Sequence, residues 1–293
     1  MEDFKKTFKA INKETSQDPC LRKPYLEEIT RLRDGRTVVS FFISFYAEAP
    51  LSQEDADMIE EVLLNIDNSK GVSLILDAPG GDGLAAERII QICRSYSKGD
   101  FECIVPARAK SAATMVCLGA DQIVMSLTSE LGPIDPQVPY DVGFGPRWMA
   151  AHHIVKTYEN LFNDAVKLEG GDIAPYLQQL SNFNAVYIEQ LRTASELSKS
   201  IAISSLKNGM LLGEDDDSIR ERIKPFTDPD FTMSHGRGIT SDQAKDCGLK
   251  IVDVSPNDEL WNAIWGLYMR SKYVVDNCRA KKLIETINDS YSS

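Results

Sequence analysis

The chain has 293 residues, of which 43% are hydrophobic and 26% charged, and a net charge of −12 at pH 7. That length suits one large domain or two smaller ones around an ordinary core. The acidic balance argues against a phosphate-binding surface and so against a nucleic-acid partner.

The first twenty residues are polar and read as a flexible segment, 1–21. Charges run through them without an apolar core, so they do not read as a secretory signal. "KPYLEEITRLRD" (23–34) has helical spacing at Leu26, Ile29 and Leu32. "RTVVSFFISF" (36–45) is a β-branched and aromatic run that predicts a buried strand, and "MIEEVLLNI" returns to the helical period. Three further strands are predicted at "GVSLILDA" (71–78), "FECIVPAR" (101–108) and "DQIVMS" (121–126). Helices separate them at "LAAERIIQICRSY" (84–96) and "SAATMVCLGA". Strand and helix alternating at this pitch imply parallel strands joined by right-handed crossovers, an α/β layer fold.

After Pro139 a Gly/Pro-rich stretch leads into a helical pattern from Trp148 to Met210, broken at "EGGDIAP". A short helix at 239–249, capped by Thr240 or Ser241, precedes a possible strand at 250–254. The tail from Asp258 to Ile287 reads as one amphipathic helix. The expected organisation is a main domain over 22–256, with a helical insertion near 148–210, and a C-terminal helical tail over 257–293. No stretch reaches the roughly 18–20 apolar residues of a membrane span, so no integral span is expected. Cys20, Cys93, Cys103, Cys117, Cys247 and Cys278 are scattered without a CxxC pair. They argue against a metal site or disulfide scaffold and for a reducing compartment, the cytoplasm.

Two strand-to-helix turns can carry chemistry. "DAPGGDG" (77–83) ends a strand in Pro-Gly-Gly, at the sheet edge where ligands bind in open α/β folds. It is either a tight turn or a set of backbone N–H donors for an oxyanion. It has neither the spacing of a dinucleotide fingerprint nor the GK[ST] of a Walker loop, so no organic cofactor is expected. Ser111, in "VPARAKSAATMVCLGA" (105–120), stands at the next such turn. It is either a helix cap or a nucleophile beside the Ala112 N–H.

The combination of "LILDAPGGDGLAAERI", "VPARAKSAATMVCLGADQIVMS" and "LGPIDPQ", with "SHGRGITSDQAKDCGLKIVD" later, resembles the serine dehydrogenase proteinase family. That family falls in the class of the Clp protease proteolytic subunit and signal peptide peptidase A. The resemblance implies a Clp/crotonase-like spiral of parallel strands and helices with helical additions. It implies Ser111 as nucleophile and Gly80, Gly81 and Ala112 as oxyanion donors, with a polypeptide substrate and a homo-oligomeric assembly. It also resolves the cap-or-nucleophile question in favour of the nucleophile.

A serine nucleophile needs a base. The Clp subunit carries its histidine about where this chain reads "ELGPIDPQ", which has none, whereas signal peptide peptidase A uses a lysine from the following helical region. His235 matches a histidine expected from the family pattern and is the preferred base. Lys156 is the alternative. His152 and His153 are adjacent on a helix, so at most one could face a site. Lys110 is expected to face solvent or contact substrate. The chain departs from the family pattern at Asp77 and Ala78, where relatives often have His-Thr, and at Ala109, Lys110 and Ala113 around the serine. The expected activity is a serine endopeptidase acting through an acyl-enzyme. The alternatives are a crotonase-like acyl-CoA enzyme and a non-catalytic, protease-like assembly subunit.

Overall fold

The computed structural model describes residues 11, 18–141, 143 and 145–293. Most of the segment expected to be flexible, 1–21, lies outside them; its end, Pro19–Leu21, is a 3-10 turn.

Five parallel strands form the centre: β1 (Thr37–Ile43), β2 (Val72–Asp77), β3 (Phe101–Val105), β5 (Gln122–Met125) and β9 (Ile251–Asp253). Two strands from the C-terminus, β10 (Lys282–Glu285) and β11 (Ser290–Ser292), extend the sheet antiparallel beyond β1, giving the order β11-β10-β1-β2-β3-β5-β9. Alternation along each strand decides what covers it. Val39, Phe41, Leu74, Leu76, Cys103 and Val105 join the core beneath the Gln53–Leu64, Gly83–Tyr96 and Ala112–Leu118 helices. Val38, Phe42, Ile75, Ile104 and Val124 point the other way, against the Lys23–Leu32 and Glu259–Asn277 helices. Both faces are covered, as a parallel sheet requires, and a fully buried Phe or Leu on either face contributes about 1.5–3 kcal/mol.

Four short pairings continue the structure past the strand ends. Leu51 bridges Gly81, and Ala78 bridges Ala109. Arg108–Ala109 (β4) pairs in parallel with Glu130–Leu131 (β6), and Leu131 bridges Ile239. This chain of contacts carries the candidate site.

Two sequence expectations change. The helical pattern expected from Trp148 begins at Ala151. Pro146–Ala150 is instead a strand, β8, in a hairpin with β7 (Gln137–Asp141). The Asp141 carboxylate closes that turn by accepting the N–H groups of Gly143 and Gly145, which favours the turn over an earlier helix start. The tail is helical only over Glu259–Asn277. Beyond it Leu283 and Ile284 face opposite cores in period two and their backbone pairs with β1. An unpaired edge on β1 outweighs continuation of the helix. The helices Ala151–Val166 and Ala185–Lys207 build a small separate core around Ala151, Ile154, Ile188 and Leu191.

Candidate active site

Backbone pairing brings the two turns together. The Ala78 N–H donates to the Arg108 carbonyl at 3.1 Å, and the Lys110 N–H donates to the Ala78 carbonyl at 3.0 Å. The chain leaving β2 is thereby tied to the chain entering Ser111. Gly80, at φ +105°, packs so closely that a methyl group on it would lie 2.6 Å from the Lys110 oxygen and 2.7 Å from Ser111 Cβ. Only glycine fits both the dihedral and the space. Gly81, at φ +155°, faces Leu51 in the same way. The Leu51 N–H and carbonyl bond to Gly80 O and Asp82 N, each at 2.9 Å, which leaves the Gly81 N–H on the opposite side. Among the described residues no acceptor meets the N–H of Gly80, Gly81 or Ala112.

Ser111 stands at the start of the Ala112–Leu118 helix with φ 50° and ψ −121°, and its side chain makes no capping hydrogen bond. A capping residue has extended dihedrals and an oxygen on the N2 or N3 amide, and Ser111 has neither. Asp82, by contrast, is extended and accepts from Leu84 N–H at 2.9 Å, an ordinary helix cap. A non-glycine residue in this region costs about 1–3 kcal/mol and persists only where its surroundings over-determine it. Thr114 does part of that: its hydroxyl donates to the Ala109 carbonyl at 2.7 Å and accepts from Gly132 N–H at 2.9 Å. It fastens the serine turn to the "LGPIDPQ" segment.

Following the pairings outward from Ala109 through Leu131 to Ile239 leads to His235, the preferred candidate for the base. Four residues past Leu131 is Asp135, and four before Ile239 is His235; the antiparallel bridge sets them side by side. His235 Nδ1 is 2.8 Å from Asp135 Oδ1. Asp135 is buried, and its other oxygen accepts from Gln137 Nε2 at 2.7 Å. His235 is partly exposed. The carboxylate fixes the imidazole by one nitrogen and leaves Nε2 for other work. Ser111 Oγ and His235 are not hydrogen-bonded to each other among the described residues. Sequence analysis missed Asp135; its signal was an acid lying in the very segment searched for a histidine.

Two of the remaining candidates, Lys156 and Lys110, are engaged with carboxylates. Lys156 is exposed and forms an ion pair with Asp230, whose carboxyl it holds below the usual range. His153 is exposed and His152 half-buried on the same helix. Lys110 neither faces solvent nor reaches outward: its ammonium is 2.9 Å from Glu130 and 3.2 Å from the Leu131 carbonyl.

Asp77 does not face the cleft. It points to the opposite side of the sheet, fully buried, where Oδ1 accepts the Arg108 N–H at 2.8 Å and Oδ2 lies 3.5 Å from Lys272 Nζ. Burial pushes its carboxyl up to about 6, against the pull of Lys272 and the Arg108 amide. The Lys272 ammonium also lies 3.3 Å from Asp276. Among the described residues, no helix is long and apolar enough to cross a membrane.

Comparison with known proteins gives the same assignment for most of the chain. The family described as ClpP-like SDH-type serine proteinase matches over residues 43–274. Two relatives come from Methanocaldococcus jannaschii. Uncharacterized protein MJ0137 is 29% identical over 237 residues, 80% of this chain and 70% of the relative. Uncharacterized protein MJ1495 is 28% identical over 120 residues, 39% of this chain and 41% of the relative.

Proposed function

From the premise that the chain belongs to the ClpP-like SDH-type serine proteinase family, we propose that it is an endopeptidase whose nucleophile is Ser111. The observation that carries this reading is the Ser111 backbone: a strained residue at a helix start, with a hydroxyl that caps nothing, pressed against Gly80. Ser111 Oγ attacks the scissile carbonyl and His235 Nε2 takes its proton. Asp135 holds the ring and stabilises the imidazolium. The Ala112 N–H on one side, and Gly81 with Gly80 on the other, receive the developing oxyanion, where donors fixed in advance act most strongly. The imidazolium then protonates the leaving amine, and water released against the same base hydrolyses the acyl-enzyme. The Ser–His contact is expected to tighten when substrate fills the cleft, since catalytic hydrogen bonds are often long without it.

This chemistry asks for no metal or organic cofactor. The substrate is a polypeptide. A homo-oligomer fits the exposed Trp148, Phe162, Val166, Leu177 and Val186 around the separate helical core; light scattering that returned a 32.6 kDa particle would rule the oligomer out. The cytoplasm fits six cysteines that form no disulfide.

The test is intact-mass spectrometry after exposure to a fluorophosphonate. Wild type gains one adduct, Ser111→Ala gains none, His235→Ala labels at least about 100-fold more slowly, and Lys156→Ala labels as wild type does. Loss in Lys156→Ala with retention in His235→Ala would transfer the base to the lysine. A wild type that never labels would refute the nucleophile and favour a non-catalytic assembly subunit.

A further inference from the structure

Away from the serine turn, His152 meets two carboxylates. It lies in the first turn of the Ala151–Val166 helix, while Asp228 and Asp230 begin the short Pro229–Thr232 helix. One ligand atom from each of the three falls within 4.8 Å of the others. In each carboxylate one oxygen is already bound: Asp228 Oδ1 accepts the Asp230 N–H at 3.0 Å, and Asp230 Oδ2 is held by Lys156. The second oxygen of each is left over. Asp230 Oδ1 faces His152 Nε2 at 3.8 Å, beyond hydrogen-bond reach.

The nitrogen is the separate observation. His152 Nε2 has no accessible surface and no hydrogen-bond partner among the described residues. A buried polar atom is normally paired, so an orphan nitrogen with a carboxylate oxygen of each aspartate within 4.8 Å calls for an occupant. Water could serve one of these atoms. One imidazole nitrogen with two carboxylate oxygens is a donor set of the kind that binds a borderline first-row dication, and three protein ligands with an open position is a familiar arrangement for zinc.

We propose that His152, Asp228 and Asp230 form a binding site for a divalent first-row transition cation, Zn²⁺ by preference. Ligands about 2.0–2.2 Å from such a metal must draw together, and the exposed Asp230 side chain does so by loosening its ion pair with Lys156. The site does not depend on the serine chemistry and would exist in an inactive protein. Its place gives it a consequence. It joins the helical layer to the segment that delivers His235, three residues beyond Thr232. A cavity of about 20 Å³, lined by His152, Asp135, Pro136 and Thr227 among others, lies between the two histidine sites. That is room for about one water.

The experiment is calorimetric titration of ZnCl₂ into the EDTA-stripped full chain, with thermal melts of the same samples. One equivalent should bind and raise Tm. His152→Ala should weaken binding at least about 100-fold, and Asp230→Asn, at an exposed position, should weaken it as well if His152→Ala does not fold. Lys156→Met removes a neighbouring positive charge and should tighten binding. His153→Ala should change nothing. Absence of a one-equivalent event in wild type overturns the site, as does equal binding in His152→Ala and Asp230→Asn, which would place the metal on a cysteine or on His153.

Discussion

The two halves of the candidate site are built in different ways. The serine half is made of backbone. Ala78, Ala109 and Lys110 pair, Gly80 touches Ser111, and Leu51 clamps Gly81, all at the ends of central strands. The base half is made of side chains: Asp135 is buried and held by Gln137, but His235 belongs to a partly exposed loop bound to it through one hydrogen bond. Damage to the first half should therefore cost folding and activity together. Damage to the second should cost activity with little loss of fold. The physical ground is that a buried backbone ladder cannot lose a member without unpaired groups or clashes, whereas an exposed loop finds water.

The sharpest separation comes from Asp135→Asn. The amide can still bond His235 but no longer stabilises an imidazolium and can select the wrong tautomer. The rate of fluorophosphonate labelling should fall by about 10²–10⁴-fold, while Tm moves by no more than a few degrees. A large fall in Tm with unchanged labelling per folded molecule would make the pair structural and dissolve the contrast. Next comes Gly80→Ala, which sets a methyl group 2.7 Å from Ser111 Cβ at a φ of +105°. It should destabilise by about 2–4 kcal/mol in urea melts and also slow labelling. If it did neither, the close contact of the two turns would be wrong.

Asp77 sharpens the comparison through pH. It hangs from the Arg108 amide beneath the serine half. Its carboxyl is raised from an ordinary 3.8 to about 6, so between those values the folded chain keeps a proton that the unfolded chain releases. That contribution to stability is complete below about pH 4 and is lost as the pH rises through about 6. Asp77→Asn cannot titrate. Urea melts from pH 4 to 7 should show the variant gaining on wild type across that window, and a constant difference would contradict the shift. The smallest change in stability, and an exception within the serine half because only a side chain and no backbone pairing is lost, is expected from Ser111→Gly. Glycine relieves the strained φ of 50° and should raise stability by about 1 kcal/mol while abolishing labelling. A lower Tm would mean that the dihedral stores no strain.

Much of this was legible in the chain itself. The four main-sheet strands between Thr37 and Met125, and β9, fall where the sequence predicted them. Thr240, one of the two expected caps, caps the 241–246 helix by accepting from Gln243 N–H. The Pro-Gly-Gly turn and the serine turn could be set at one edge from chain order alone. Period-two and period-3.6 patterns are local, and parallel neighbours follow from short crossovers. The failures have a common cause. Asp135 was passed over because nothing in "LGPIDPQ" says which of its residues is buried beside a loop 100 positions away. The end of the tail reads as helix continuation until an open edge on β1 claims it. Asp77 departs from the family pattern in the sequence, but nothing there names Lys272 as its partner across the far face of the sheet.

What the sequence determined by itself is the layered α/β frame, its two glycine- and serine-bearing turns, and the family. Those rest on patterns within one element or between successive ones. Tertiary structure alone decided that Asp135 is the partner of His235 and that Lys156 is spent on Asp230. Each of these depends on which distant side chains share a few ångströms of low-dielectric space, and burial and pairing at that range leave no periodic trace in the chain.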